Sequence, residues 1–270
     1  MHNGVILSQP VDLLVSERQS EIRRRLERSE RVIAGDLARE FGISEDTIRR
    51  DLREMAAAGE CVRVYGGAIS NKAKFVPLQN RFDVQVEQKR LLAQKSVEVL
   101  ERGMFVFLDV GSTNLAMCPY FPTNLDLTIA TNSPQIAAAL MANTGIKLIT
   151  IGGKIDAGTG AAISAVAVQE AARLHPDLLI MGACGLDIKS GVSAFDQDDA
   201  FFKQTISANS GKVVVPLLND KIGTVAPFSV IPLQQCDYFV VEHSLAEEIA
   251  TSLKSPKTTI LRAAKGNAKI

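Results

Sequence analysis

Two sets of residues in this 270-residue chain have the types and spacing to bind anions. The first is Ser44, Thr47, Arg49 and Arg50, followed by Arg63. Hydroxyls at the start of a helix and arginines along it can bind phosphate, because the helix N-terminus favours an anion and a guanidinium can make paired bonds to phosphate or guanine. The second set is spread over short loops: Asp109, Gly111, Ser112 and Thr113; Thr131, Asn132 and Ser133; Gly152 and Gly153; Gly185 and Asp187; and Lys203. Glycine lets the backbone approach a ligand, each Ser or Thr adds a donor, and lysine adds charge. That chemistry suits a phosphorylated polyol.

The first set depends on a helix for its spacing. From Ser44, Ile48, Leu52 and Met55 recur at intervals of four and three, so they form a buried seam, and Arg49, Arg50 and Arg53 lie off it. Ser44 can cap the helix, and Gly59 supplies a left-handed stop. Helices over 16–28 and 34–41, then the break at Gly42-Ile43, complete the pattern of a helix-turn-helix. Gly66-Gly67 closes a short alternating run as the turn or exit of a β-ribbon. The functional reading puts the helix from Ser44 in the major groove of double-stranded DNA. The alternative is a three-helix subdomain whose arginines are solvated or paired with Glu45, Asp46, Asp51 and Glu54. Net charge does not decide between them: residues 16–69 carry eleven arginines and eleven acidic side chains, so a DNA face must come from geometry.

The second set depends on alternating elements. Helical periods over 84–102, 115–120, 135–142, 161–174, 200–208 and 245–253 alternate with apolar runs over 104–108, 127–130, 147–151, 178–181, 212–217, 237–241 and 258–261. The expected fold class is α/β, with a mostly parallel sheet covered on both faces and ligands bound beyond the carboxyl ends of the strands. Taken singly, each loop is what any strand end needs to turn the chain. In register on one edge, four such loops suggest a pocket. The expected organisation is an N-terminal arm (1–15), a helix-turn-helix domain (16–69), a linker (70–83), an effector-binding and oligomerisation domain (84–262) and a tail (263–270).

Composition narrows the remaining classes. A 46% hydrophobic content supplies a core without disulfide staples, so Cys61, Cys118, Cys184 and Cys236 read as reduced, mostly buried thiols. His175 and His243 have no metal-ligand spacing, and no metal or cofactor is expected. Val5-Ile6-Leu7 is too short for a signal core and no run approaches a membrane span, so the expected location is the cytoplasm. An isomerase would need a general base, for which Asp109 and Asp187 are the available carboxylates and Lys154 the available electrophile; no paired-carboxylate motif stands beside them.

Leu37-Ala38-Arg39-Glu40-Phe41-Gly42-Ile43-Ser44, Thr47-Ile48-Arg49-Arg50-Asp51-Leu52 and Arg63-Val64-Tyr65-Gly66-Gly67-Ala68 resemble the N-terminal winged helix-turn-helix signature of DeoR-type (DeoR/GlpR family) bacterial transcriptional regulators. The resemblance continues through Glu87-Gln88-Lys89, 108–113, 131–133, Gly152-Gly153, Gly185-Leu186-Asp187 with Gly191, and Asp199-Ala200 followed by Lys203. It covers about residues 16–262. It implies a wing over 60–69 carrying Arg63, and an effector domain related in fold to ribose-5-phosphate isomerase. It also implies repression of a carbohydrate uptake or catabolic operon, relieved by a phosphorylated sugar. An activator and an isomerase-like enzyme fused to a DNA-binding module are the alternatives. Half-site recognition implies a dimer or tetramer. Leu218 and Asp220 replace the Asp and Ser of the family's Asp-x-Ser-Lys loop, and an acid beside Lys221 opposes phosphate binding there.

Overall fold

The computed structural model describes residues 14–29, 31–64, 66–70 and 75–266. Most of the expected arm (1–13), part of the linker (71–74) and the end of the tail (267–270) lie outside the described residues. The chain divides into two compact units, 1–72 and 73–270.

The first unit runs α1 (Val15–Ser29), β1 (Arg31–Ile33), α2 (Ala34–Phe41), α3 (Glu45–Ala57), β2 (Cys61–Val64) and β3 (Gly67–Ser70). The seam of α3 is buried as its period requires: Ile48, Leu52 and Met55 pack with Ile22 and Leu26 of α1 and with Leu37 and Phe41 of α2. Ile33 stands at the N-cap of α2 without a side-chain bond, and the helix still begins at Ala34 because its apolar face, rather than a cap, holds it. β1 had no sequence signal. It pairs with β3, which also pairs with β2, in a three-stranded antiparallel sheet. The Gly-Gly pair makes this possible: Gly66 takes φ 81, and a Cβ on Gly67 would lie 1.9 Å from the Val32 carbonyl oxygen, so only glycine fits against β1.

The second unit holds a seven-stranded parallel sheet. Its elements are α4 (Val86–Ser96), β4 (Phe105–Leu108), α5 (Ser112–Leu115), β5 (Leu127–Thr131), α6 (Pro134–Leu140), β6 (Ile146–Thr150), β7 (Ile155–Asp156), β8 (Ala161–Ala162), α7 (Ala165–Ala171) and β9 (Leu178–Ile180). Then follow β10 (Gly185–Asp187), β11 (Gly191–Ala194), α8 (Gln197–Ala208), β12 (Lys212–Leu217), β13 (Phe228–Ile231), β14 (Tyr238–Val241), α9 (Glu247–Ser252) and β15 (Thr259–Arg262). The strand order is β15-β14-β12-β9-β4-β5-β6. Successive side chains alternate between two cores: Phe107 and Leu179 lie in one, Val106, Leu108, Leu178 and Ile180 in the other.

Four expectations need correction. The helix read over 161–174 begins only at Ala165, since Ala161 and Ala162 form β8 and pair antiparallel with β7; an alanine pair has no side chain to resist either geometry. The long helix read over 84–102 spans Val86–Ser96 and tightens into a 3-10 turn at Val97–Val99. Gly185-Leu186-Asp187, read as a loop, is the edge strand of a second antiparallel sheet, β10-β11-β13. The segment 75–83, read as linker for want of an apolar period, packs onto the second unit, with Leu78 buried among its core residues.

Candidate functional site

In the first unit the arginine helix presents its polar face to solvent. The Ser44 hydroxyl accepts from the Thr47 N–H at 3.1 Å and lies 2.8 Å from the Thr47 hydroxyl, so these two side chains form the helix cap. Arg49 pairs with Glu45 at 2.7 Å and Arg50 with Glu54 at 3.2 Å, on side chains 52% and 77% exposed. Such surface pairs contribute well under about 1 kcal/mol, so a phosphate can displace the carboxylate. Asp51, by contrast, is buried and receives a two-pronged bond from Arg18, which ties α1 to α3. Sequence periodicity had no signal for that pair. Arg63 is exposed on β2.

In the second unit the sheet fixes where a ligand can sit. From β4 the chain winds outward through β5 and β6 on one side, and from β9 through β12, β14 and β15 on the other, so the order reverses between β4 and β9. Helices leaving opposite faces at such a reversal open a crevice at the strand ends. A cavity of about 200 Å³ lies there. Its floor is 110–114 after β4 and 182–184 after β9; Lys203 and Asp199 of α8 form one wall, Asp220 and Lys221 another, and Arg81, Gln85 and Lys89 a third.

Lys203 is the buried centre of charge. Its Nζ lies 3.3 Å from Asp109 Oδ2 and also bonds Asp199, one helical turn away, with all three side chains at most 5% exposed. Asp109 Oδ2 also accepts from the Gly182 N–H at 2.9 Å, bridging the crevice, while its Oδ1 has no partner. Burial pushes the Asp109 carboxyl up to about 6, against the opposing pull of Lys203. For Lys203, burial alone would depress the ammonium, but Asp109 and Asp199 outweigh it and hold it above the ordinary lysine value. Burial likewise lowers Lys89, which donates to the Arg81 carbonyl.

Of the residues expected to bind an effector, Gly111, Ser112, Thr113 and Lys203 line this cavity, and Asp109 lies directly behind Lys203. The others do not line it. Thr131 ends β5, one strand out from the reversal, and Asn132 and Ser133 follow it; Thr131 Oγ1 accepts from the Ser133 N–H, Asn132 Oδ1 from the Val110 N–H at 3.2 Å, and Ser133 caps α6. Asn132 therefore shapes the β4 loop from behind. Gly152 and Gly153 follow β6, one strand farther out. Gly185 is a packing glycine, since its Cβ would meet the Thr224 carbonyl oxygen at 2.6 Å, and Asp187 accepts the Lys189 and Ser190 N–H groups in the β10–β11 turn. As a general base Asp187 is thus misplaced for this cavity, and Asp109 is sealed behind Lys203.

The cavity also takes in Phe75, Asn80, Arg81, Gln85 and Phe195, which no sequence pattern marks as ligands, together with Lys89 and Cys184. Lys89 was visible in Glu87-Gln88-Lys89, and Cys184 in the loop after β9. Phe75, Asn80 and Arg81 arrive by way of a segment with no period of its own, Gln85 lies at the start of the helix expected over 84–102, and Phe195 follows β11.

Residues 18–74 match the DeoR-like helix-turn-helix domain family, and residues 84–243 match the DeoR C terminal sensor domain family. The chain is similar to the HTH-type transcriptional regulator GlpR of Haloferax volcanii, 29% identical over 92% of this chain and 98% of that protein. It is also similar to the glycerol-3-phosphate regulon repressor of Escherichia coli K12, 28% identical over 75% of this chain and 81% of that protein. Among solved structures, ribose 5-phosphate isomerase A of Methanocaldococcus jannaschii superposes with a TM-score of 0.38 at 17% identity, covering 51% of this chain and 54% of the other. Among the described residues, no helix is long and apolar enough to cross a membrane.

Proposed function

Because this chain belongs to the DeoR family of helix-turn-helix transcriptional regulators, we propose that it represses a carbohydrate uptake or catabolic operon and releases it when a phosphorylated sugar enters the cavity of its second unit. The observation that carries the reading is the cavity itself: Lys203, Arg81 and Lys89 stand around a floor of Gly111, Ser112 and Thr113. Cations neutralise a phosphate, and small residues with hydroxyls meet sugar oxygens. In operator DNA, Ser44 at the cap of α3 and Thr47, Arg49 and Arg50 within it face the major groove, and Arg63 of the wing meets a phosphate or the minor groove. The protein works as a dimer or tetramer on paired half-sites, in the cytoplasm where operator DNA lies. The effector must prefer the weak-DNA state, and a hundredfold preference is only about 2.7 kcal/mol of coupling.

A mobility-shift titration tests this. Operator DNA bound by the full chain is challenged with glycerol 3-phosphate, ribose 5-phosphate, fructose 6-phosphate, each dephosphorylated parent and inorganic phosphate. Release by one phosphorylated sugar and not by its parent is the expected result. A complex indifferent to every compound would refute the switch, and one tightened by a sugar phosphate would replace release with co-repression.

A further inference from the structure

Arg81 and Gln85 both line the cavity, and each keeps a buried polar atom without a partner, Arg81 Nε and Gln85 Oε1. A buried guanidinium N–H and a buried amide oxygen are costly when unmade, and two of them on one cavity wall are what an occupant with an anionic and a hydroxyl end would satisfy. Gln85 also takes φ 52 and ψ 42, a left-handed conformation unusual for a residue with a Cβ, just where α4 starts. Strain of that kind persists where surrounding contacts hold it and clusters at ligand clamps. The contacts are present: Gln85 Nε2 donates to Asp220 Oδ2 at 3.4 Å, and Lys89 holds the Arg81 carbonyl from one helical turn on.

Both residues sit on the stretch 75–85, the first described part of the second unit. This strap lies across the turn between β7 and β8. Leu78 donates its N–H to the Gly158 carbonyl at 2.9 Å. A Cβ on Gly160 (φ 73) would fall 2.4 Å from Leu78 Cδ2. The Phe75 ring meets the Phe195 ring edge-on at 5.7 Å. The strap is therefore at once a wall of the cavity and the chain that leads from the DNA-binding unit.

We propose that Arg81 and Gln85 are effector ligands, the guanidinium on the phosphate beside Lys89 and the amide oxygen on a sugar hydroxyl, so that occupancy is read by the strap. This rests on the sugar-phosphate reading of the cavity and adds to it the element that senses the occupant. An effector that needs the strap docked favours the docked state, and by linkage whatever DNA-binding state accompanies an undocked strap is disfavoured.

The test uses the full chain and calorimetric titration with the same phosphorylated sugars and inorganic phosphate. Arg81→Met should weaken the sugar phosphate that binds the wild type by tenfold or more. Gln85→Gly, which suits the left-handed backbone, should weaken it severalfold, and Arg90→Met, on the same helix but outside the cavity, should leave it unchanged. Hydrogen exchange over 75–85 should slow at saturation. If Arg81→Met does not fold, Arg81→Lys keeps the charge but lacks the Nε donor and should still bind severalfold more weakly. Wild-type affinity in the Arg81 and Gln85 variants, or unchanged exchange over 75–85, overturns the proposal while leaving the sugar-phosphate reading in place. Failure of every compound to bind the wild type overturns both.

Discussion

Replacing Lys203 with Met removes the one cation shared by two buried carboxylates. Lys203 Nζ is 3.3 Å from Asp109 and bonds Asp199, and neither acid has more than 5% of its side chain exposed. Methionine fills nearly the same volume, so packing changes little and the loss is electrostatic. Breaking a buried pair by deleting one partner costs about 3 to 5 kcal/mol. The loss must also depend on pH. Asp109 already ionises near 6 because burial disfavours its charge, against an ordinary value of about 3.9. A folded-state value raised above the unfolded one means stability that is full below about pH 4 and lost as pH rises through about 6. Without the ammonium Asp109 shifts further upward, so the variant's extra loss continues above pH 6. Urea unfolding of the full chain at pH 8 should show a deficit of about 3 to 5 kcal/mol relative to wild type, and at pH 5 a clearly smaller one. Adding Asp109→Asn to Lys203→Met should recover part of the pH 8 deficit, because it removes an unpaired charge. A variant within about 1 kcal/mol of wild type at pH 8, or one equally weakened at both pH values, would refute the assignment of Lys203 as the buried counter-ion.

Two further outcomes concern the DNA-binding unit. Arg50→Ala should weaken operator binding and reduce the slope of log affinity against log salt by about 0.9 if its guanidinium exchanges Glu54 for a phosphate; an unchanged slope assigns it no phosphate. Ser44→Ala deletes the cap bond to the Thr47 N–H and should cost the first unit about 1 kcal/mol, read by chemical denaturation. No loss would show that water replaces the hydroxyl at no cost.

Local regularity was readable along the chain because it is repeated in the chain. The interval of four and three at Ile48, Leu52 and Met55 can bury only one face of α3, and Ser44 can cap only the helix it precedes; both stand as read. The alternation after residue 84 gave strands β4, β5, β6, β9, β12, β14 and β15, since apolar runs bounded by turn residues are self-announcing. Elements without a period were silent: β1 is three residues long and takes its geometry from β3, and Ala161-Ala162 becomes a strand through its pairing with β7.

The sequence by itself offered residues whose types suit an anion, placed them on a capped arginine helix and on strand-end loops, and determined that the larger half is an α/β sheet. Only the tertiary structure decided which loops meet. Four loops share one edge of the sheet, but strand order, which no local pattern encodes, sets the reversal between β4 and β9. It gathers 111–113 with Lys203 and leaves 131–133 and 152–153 outside the cavity. It also brings in Arg81 and Gln85, whose place at the wall comes from the docking of Leu78 and Phe75 against glycines and an aromatic ring eighty or more residues away in number. Contacts of that range depend on the whole chain's packing, so no window of sequence contains them.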